Sequence, residues 1–226
     1  MKNMSLNVTI QGQNHELPSE VILDMFHHIY YESRVWEKTF YFGKNILKCP
    51  LDMWIYQEIF HEIRPDVLIE SGTFHGGSAL YYAHLFDIIN NGKIYTIDIN
   101  SRDDYPQHDR IDYINGSSTD LMVYKNISEK FQTDTKVMVV LDSDHSMDHV
   151  YAEMKLWSNA VSVGSYMIVE DSNINGHPVR RDFGPGPMEA INKFLDEDSR
   201  FVIDLSKEKF GLTQNPRGYL KKIRSN

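Results

Sequence analysis

Two patterns of apolar and polar residues divide the chain. Up to residue 64 the apolar positions recur at helical spacing and aromatic residues are frequent. From residue 65 onward, short apolar runs alternate with helix-length stretches. In "SEVILDMFHHIYYES" the residues Val21, Ile22, Met25, Phe26 and Ile29 share a helical face, with Ser19 as the expected N-cap. "CPLDMWIYQEIFHEI" repeats the pattern, with Pro50 at its start and a break at Arg64-Pro65.

The second part reads "PDVLIE", "KIYTIDIN", "IDYINGS", "KVMVVLDSD" and "SYMIVED" as strands. "GGSALYYAHLFDIIN", "SMDHVYAEMKLWSNA" and "PGPMEAINKFLDED" read as helices, the first of them closed by Asn90-Asn91-Gly92. "RFVIDLS" and "RGYLKKI" read as a closing antiparallel hairpin. Strands that alternate with helices predict an α/β fold with a doubly wound, mostly parallel sheet covered on both faces. The expected division is a helical extension over residues 1–64, serving as a cap or an oligomer contact, and a single α/β domain over 65–226.

In such sheets ligands bind beyond the carboxyl ends of the strands. Glu70, Asp98, Asp142 and the pair Glu170-Asp171 all fall at expected strand ends. Gly72, Gly76 and Gly77 allow a tight turn and a close ligand approach, ahead of a helix that offers its first amides. The turn reads G-x-x-x-G-G, not the G-x-G-x-x-G of dinucleotide enzymes, which weakens a nicotinamide reading. Asp98 stands where a doubly wound fold puts the acid that accepts ribose hydroxyls, although glycine turns of this kind also occur without a ligand.

The bulk properties narrow the choice. With 226 residues, 41% of them hydrophobic, the chain can bury one full core. A formal charge of −9 argues against nucleic acid or an anionic membrane surface as partner. The basic tail Lys221-Lys222-Ile223-Arg224 reads as a solvated end. Cys49 is the sole cysteine, so no internal disulfide forms. The N-terminal segment lacks the apolar core of a signal peptide, which leads to an expected cytoplasmic location.

The acids carry the chemistry. If the two strands ahead of them are neighbours, Asp142, Glu170 and Asp171 converge, and three close carboxylates repel unless a cation holds them. An all-oxygen set suits Mg2+, with Mn2+ or Ca2+ as alternatives; helix capping or pairing with Arg180 and Arg181 is the bland alternative. His145, three residues past Asp142, is the candidate general base for a substrate hydroxyl. The spacing of His145 and His149 mimics a zinc pair but lacks the intervening glutamate. His75 lies inside the glycine turn, where it meets any ligand bound there. The aromatic residues Tyr30, Tyr31, Trp36, Phe40 and Tyr41 read as core ahead of a lid or oligomer contact.

Three runs, "KCPLDMWIYQEIFHEIRPDVLIESGTFHGGS", "VVLDSDHSMDHVYAEM" and "GSYMIVEDSNINGHP…DFGPGPMEAINKFL", together resemble the cephalosporin hydroxylase family over residues 36 to 198. Despite its label, that family has the Rossmann-like class I fold of S-adenosylmethionine-dependent O-methyltransferases. It is similar to sugar O-methyltransferases of antibiotic and glycolipid pathways. The resemblance implies that Glu70, Gly72, Thr73, His75, Gly76, Gly77 and Ser78 hold the methionine end of S-adenosylmethionine. Asp98 would take the ribose, and Asp142 would border the cofactor. The resemblance also implies Mg2+ on Asp142, Glu170 and Asp171, with His145 as base. His177, Arg180 and Arg181 would lie on the substrate side. The implied partner is a small hydroxylated acceptor, a sugar in a specialised metabolite or glycan. An oxygenase, as the label says, would need two histidines and a carboxylate in a facial arrangement that the chain does not offer at strand spacing. A non-catalytic nucleoside-binding module is the third reading.

Overall fold

A computed structural model describes residues 4–225; residues 1–3, the start of the segment read for targeting, and residue 226 lie outside the described residues. The chain opens with β1 (Ser5–Ile10) and β2 (Gln13–Pro18), an antiparallel pair, followed by α1 (Ser19–Glu32). Short strands β3 (Phe40–Tyr41) and β4 (Lys44–Asn45) precede α2 (Pro50–Ile63). The alternating part runs β5 (Val67–Ser71), α3 (Gly77–Ile89), β6 (Lys93–Asp98), β7 (Ile111–Asn115), α4 (Leu121–Ser128), β8 (Val137–Leu141), α5 (Met147–Trp157) and β9 (Tyr166–Val169). It ends with α6 (Pro187–Glu197), β10 (Phe201–Ile203) and β11 (Tyr219–Lys222).

The central sheet has the order β10-β11-β9-β8-β5-β6-β7, parallel from β9 to β7 and antiparallel where β11 and β10 join. This is the expected doubly wound α/β architecture with its closing hairpin. Alternate residues of each strand face opposite sides. Leu68, Ile94, Met138, Val140 and Ile168 pack under α2 and α3, whereas Ile69, Ile97, Val139 and Val169 pack under α5 and α6. Parallel register then levels the strand ends: Ser71 pairs with Leu141 and Ile97, and Leu141 with Val169. Gly72, Asp98, Asp142 and Glu170 therefore emerge along one rim.

Three expectations change. Residues 1–64 are not purely helical: Leu6, Val8 and Ile10 alternate at period two, and Gln11-Gly12, both at positive φ, close a hairpin. Moreover α2 packs into the same core as α3 through Ile55, Tyr56, Ile59 and Phe60, so residue 64 divides the sequence without dividing the core. Ser19 is the first residue of α1, and Pro18 stands at the N-cap with no side-chain cap bond. The basic tail is a solvated end only in Ile223 and Arg224, which are exposed; Lys221 and Lys222 belong to β11. Lys222 Nζ is buried against the carbonyls of Ser158 and Val161, and Lys221 pairs with Glu62. No helix among the described residues is long and apolar enough to cross a membrane.

Candidate functional site

A cavity of about 500 Å3 opens at that rim. Its floor is the turn after β5. Gly72 is held by its amide on the Ile97 carbonyl at 2.8 Å, and Thr73 Oγ1 bonds Thr96 Oγ1 at 2.7 Å. Thr73, His75, Gly77 and Ser78 line the cavity from this turn. Asp98 lines it from the end of β6, with Oδ2 accepting from the Phe74 amide (2.9 Å) and Oδ1 from the Asn100 amide (2.8 Å). The carboxylate is thus fixed in place by backbone donors before any ligand arrives.

Glu70 and Gly76 are not among the cavity walls. Glu70 lies fully buried beneath the turn, accepting from Thr96 Oγ1 at 2.6 Å, and its Oε1 is buried without a hydrogen-bond partner. Burial raises its pKa to about 7.

The acid cluster stands at the ends of β8 and β9. Asp142, His145 and Asp171 line the cavity, and each offers a ligand atom within 4.8 Å of the others'. His145 Nε2 is 3.3 Å from Asp171 Oδ2. Burial works against the imidazolium, yet Asp171, Asp142 and Glu170 outweigh it and raise the His145 pKa. Burial and neighbouring carboxylates also raise the pKa of Asp142 and of Asp171, and that of Glu170 to about 6. Their charges crowd one another, as sites for a cation do. Asp171 holds its position at φ 52°, its amide donating to Asn215 Oδ1.

Glu170 faces away from the cavity. Its Oε1 accepts from Lys48 Nζ at 2.6 Å and from Tyr56 Oη at 2.6 Å, and Lys48 also reaches Asp142 Oδ2 at 2.5 Å. The expected trio therefore divides: Asp142 and Asp171 share the cavity with His145, while Glu170 sits behind them with a lysine. Burial opposes the Lys48 charge, but Asp142 and Glu170 prevail and hold its pKa well above the ordinary lysine range.

On the outer side, Arg180 lines the cavity and lies over the Phe183 ring at 5.0 Å. His177 and Arg181 do not line it. His177 pairs with Glu189 at 2.8 Å, and Glu189 also accepts from the Gly186 amide at the start of α6, so His177 ties its loop to that helix. His149 turns to Ser143 (3.1 Å) and Glu153 (3.5 Å), away from the acids.

Sequence reasoning missed several walls. Tyr31 and Trp36, read as core, line the cavity with their rings stacked at 5.5 Å, whereas Phe40 is exposed. Gly116, Ser117 and Ser118 line it beyond β7. Lys48 was also missed. Its only signal is a charge placed between apolar Ile46-Leu47 and Cys49-Pro50, where a solvated lysine is out of place.

Residues 33–223 match the family described as Rhamnosyl O-methyltransferase/CmcI. The chain is similar to a rhamnosyl O-methyltransferase of Mycobacterium tuberculosis, 44% identical over 210 residues, which cover 90% of this chain and 86% of the relative. It is 40% identical over 209 residues to the protein of the same description from Mycobacterium leprae, covering 90% and 91%. A solved structure described as CmcI with Mg and SAM superposes with TM-score 0.62 at 20% identity, over 83% of this chain and 78% of that one, a likeness of fold.

Proposed function

The chain belongs to the rhamnosyl O-methyltransferase/CmcI family and is an S-adenosylmethionine-dependent O-methyltransferase; on that premise we propose that its acceptor is a sugar hydroxyl and that a divalent cation, Mg2+ by preference, assists the transfer. The observation that carries this reading is the convergence of Asp142, His145 and Asp171 in the wall of the cavity that also contains Asp98 and the glycine turn.

The residues fit both groups. A nucleoside finds a fixed acid at Asp98, the first amides of α3 and Ser117-Ser118 beyond β7. A hard cation finds oxygen donors in Asp142 and Asp171. When bound, the donor supplies an electrophilic methyl on sulfonium, and the cation supplies a Lewis acid that lowers the pKa of the acceptor hydroxyl.

The chain's own residues then do the following. Asp142 and Asp171 orient the cation, and Asp98 with the glycine turn fixes the donor. These residues would hold the acceptor oxygen against the methyl group, and alignment of this kind is worth about 7–11 kcal/mol in favourable cases. His145 Nε2 takes the hydroxyl proton as the new C–O bond forms and the C–S bond breaks, and Asp171 beside it stabilises the resulting imidazolium. Tyr31, Trp36 and Arg180 enclose the acceptor side, where flat aromatic faces suit the apolar face of a sugar ring. His177 and Arg181, outside the cavity, have no contact with the acceptor in this reading.

The test is transfer from labelled donor to a panel of rhamnosides, other glycosides and catechols, with Mg2+ or with EDTA. Methylation of a glycoside that EDTA suppresses and Mg2+ restores is expected. Transfer only to catechols refutes the sugar assignment, and full activity in EDTA refutes the cation.

A further inference from the structure

Lys48 has no part in the scheme above, and it is the most deeply buried cation of the cluster, 2% exposed. It stands on the link between β4 and α2, outside the alternating part of the chain, and threads inward to the ends of β8 and β9. An ammonium in such surroundings is expensive unless carboxylates satisfy it. Here it meets two, Asp142 Oδ2 at 2.5 Å and Glu170 Oε1 at 2.6 Å.

The contacts form one chain of bonds. Asn215 donates to Tyr56 Oη (3.2 Å) and accepts from the Asp171 amide (3.2 Å), while Tyr56 donates to the same Glu170 oxygen that Lys48 holds. Lys48 and Tyr56 thus hold Oε1 of Glu170, and Lys48 holds Oδ2 of Asp142, each from the core side. The other oxygen of each carboxylate stays outside this clamp. The Lys48 side chain is only 3% exposed, against 24% for Asp142, so an ion entering from the cavity meets the acids without displacing the lysine.

We propose that Lys48 is a built-in counter-charge and a positioning residue of the acid cluster: it holds Asp142 and Glu170 side by side without a metal, and it fixes Asp142, the one of the two that lines the cavity, for a divalent cation arriving there. The second half rests on the cation reading given above. Three carboxylates, Asp142, Glu170 and Asp171, balance one lysine plus one divalent ion, so the loaded cluster is neutral. An outer partner that grips one oxygen of a ligand and aims the other is a general way of fixing a metal site.

The test is a melting cycle of wild type, Lys48→Met, Glu170→Gln and the double variant, each in EDTA and in Mg2+. In EDTA, Lys48→Met should melt on the order of 10 °C lower, because it leaves the buried Glu170 carboxylate without its cation beside the half-buried Asp142. Adding Glu170→Gln should recover half of that loss or more, since it removes one of the stranded charges. Mg2+ should raise the melting point of Lys48→Met by more than it raises that of wild type. A double variant no more stable than Lys48→Met, including one that also fails to fold, overturns the counter-charge. A recovering cycle without any Mg2+ shift in wild type keeps the counter-charge and instead overturns the cation assignment.

Discussion

Gly72 sits at φ +89°, a conformation that strains any residue with a Cβ, and a Cβ built there would collide with the Asp142 carbonyl. The close approach of the β5 turn to the end of β8 is what brings donor floor and acid cluster together. Gly72→Ala should therefore push the two apart, with a stability loss above about 2 kcal/mol and at least tenfold weaker binding of S-adenosylhomocysteine. Denaturant midpoints and calorimetry measure the two effects; a variant that binds normally would show that the approach is not needed. His145 differs in kind, because in the proposed function it takes a proton, and it does not hold the fold. His145→Ala should lower kcat by about 10²–10⁴-fold while the product's affinity stays within a factor of two or three. Equal losses in both would make His145 a structural or ligand-binding residue.

At the scale of elements, what could be read from the sequence followed the length and termination of apolar runs. β5, β8 and β9 are short, fully buried runs, β5 with Glu70 at its next-to-last position and β8 and β9 followed at once by Asp142 and Glu170, and α2 is bounded by Pro50 at its first position and by Arg64 in the left-handed region. Such local signals fix boundaries and, through parallel register, the rim itself. The link from α1 to α2 carries no such signal. Tyr31, Trp36 and Lys48 are an aromatic pair and a lysine whose sequence neighbours give no hint of their direction. Only tertiary folding turns the aromatic pair to the cavity and the lysine to the core. The end of α1 and this link supply one wall of the cavity, the acceptor side in the function proposed above, with Trp36 Nε1 anchored on the Tyr31 carbonyl at 3.0 Å. Trp36→Ala should raise the acceptor KM about tenfold, the value of one aromatic stacking contact, with donor affinity nearly unchanged. Initial-rate kinetics with each substrate varied in turn decide it. An effect confined to the donor would assign this wall to the nucleoside.

Across the whole molecule, the sheet that builds the rim also buries ionisable groups whose charge the fold resists, and no periodicity in the sequence reports this. Asp52, on α2, is locked by the Gln214 amide and Tyr219 Oη from the far end of the chain, and Glu70 lies under the turn. Burial raises both to about 7, from ordinary values of 3.8 and 4.5. A carboxyl with a folded pKa above its unfolded one contributes stability that is fully present below the unfolded value and is lost as pH rises through the folded value. His27 acts in the opposite sense. Burial lowers it to about 4, so its contribution is present above 6.5 and is lost as pH falls through 4. Between pH 4.5 and 6.5 Asp52, Glu70 and Glu170 oppose His27, and above 6.5 the raised His145 acts in the same sense as the carboxyls. The metal-free protein should therefore lose melting temperature from about pH 5.5 to 8. Glu70→Gln keeps an acceptor for Thr96 Oγ1 and removes one of the two charges. Its decline between pH 6 and 8 should be shallower than that of wild type by about 1.4 kcal/mol per pH unit at most, the linkage slope of one proton. Melts in EDTA across that range measure it. Parallel curves would mean that Glu70 is ionised in the folded chain at neutral pH, and that the buried acceptor under the turn carries a full charge before the donor binds.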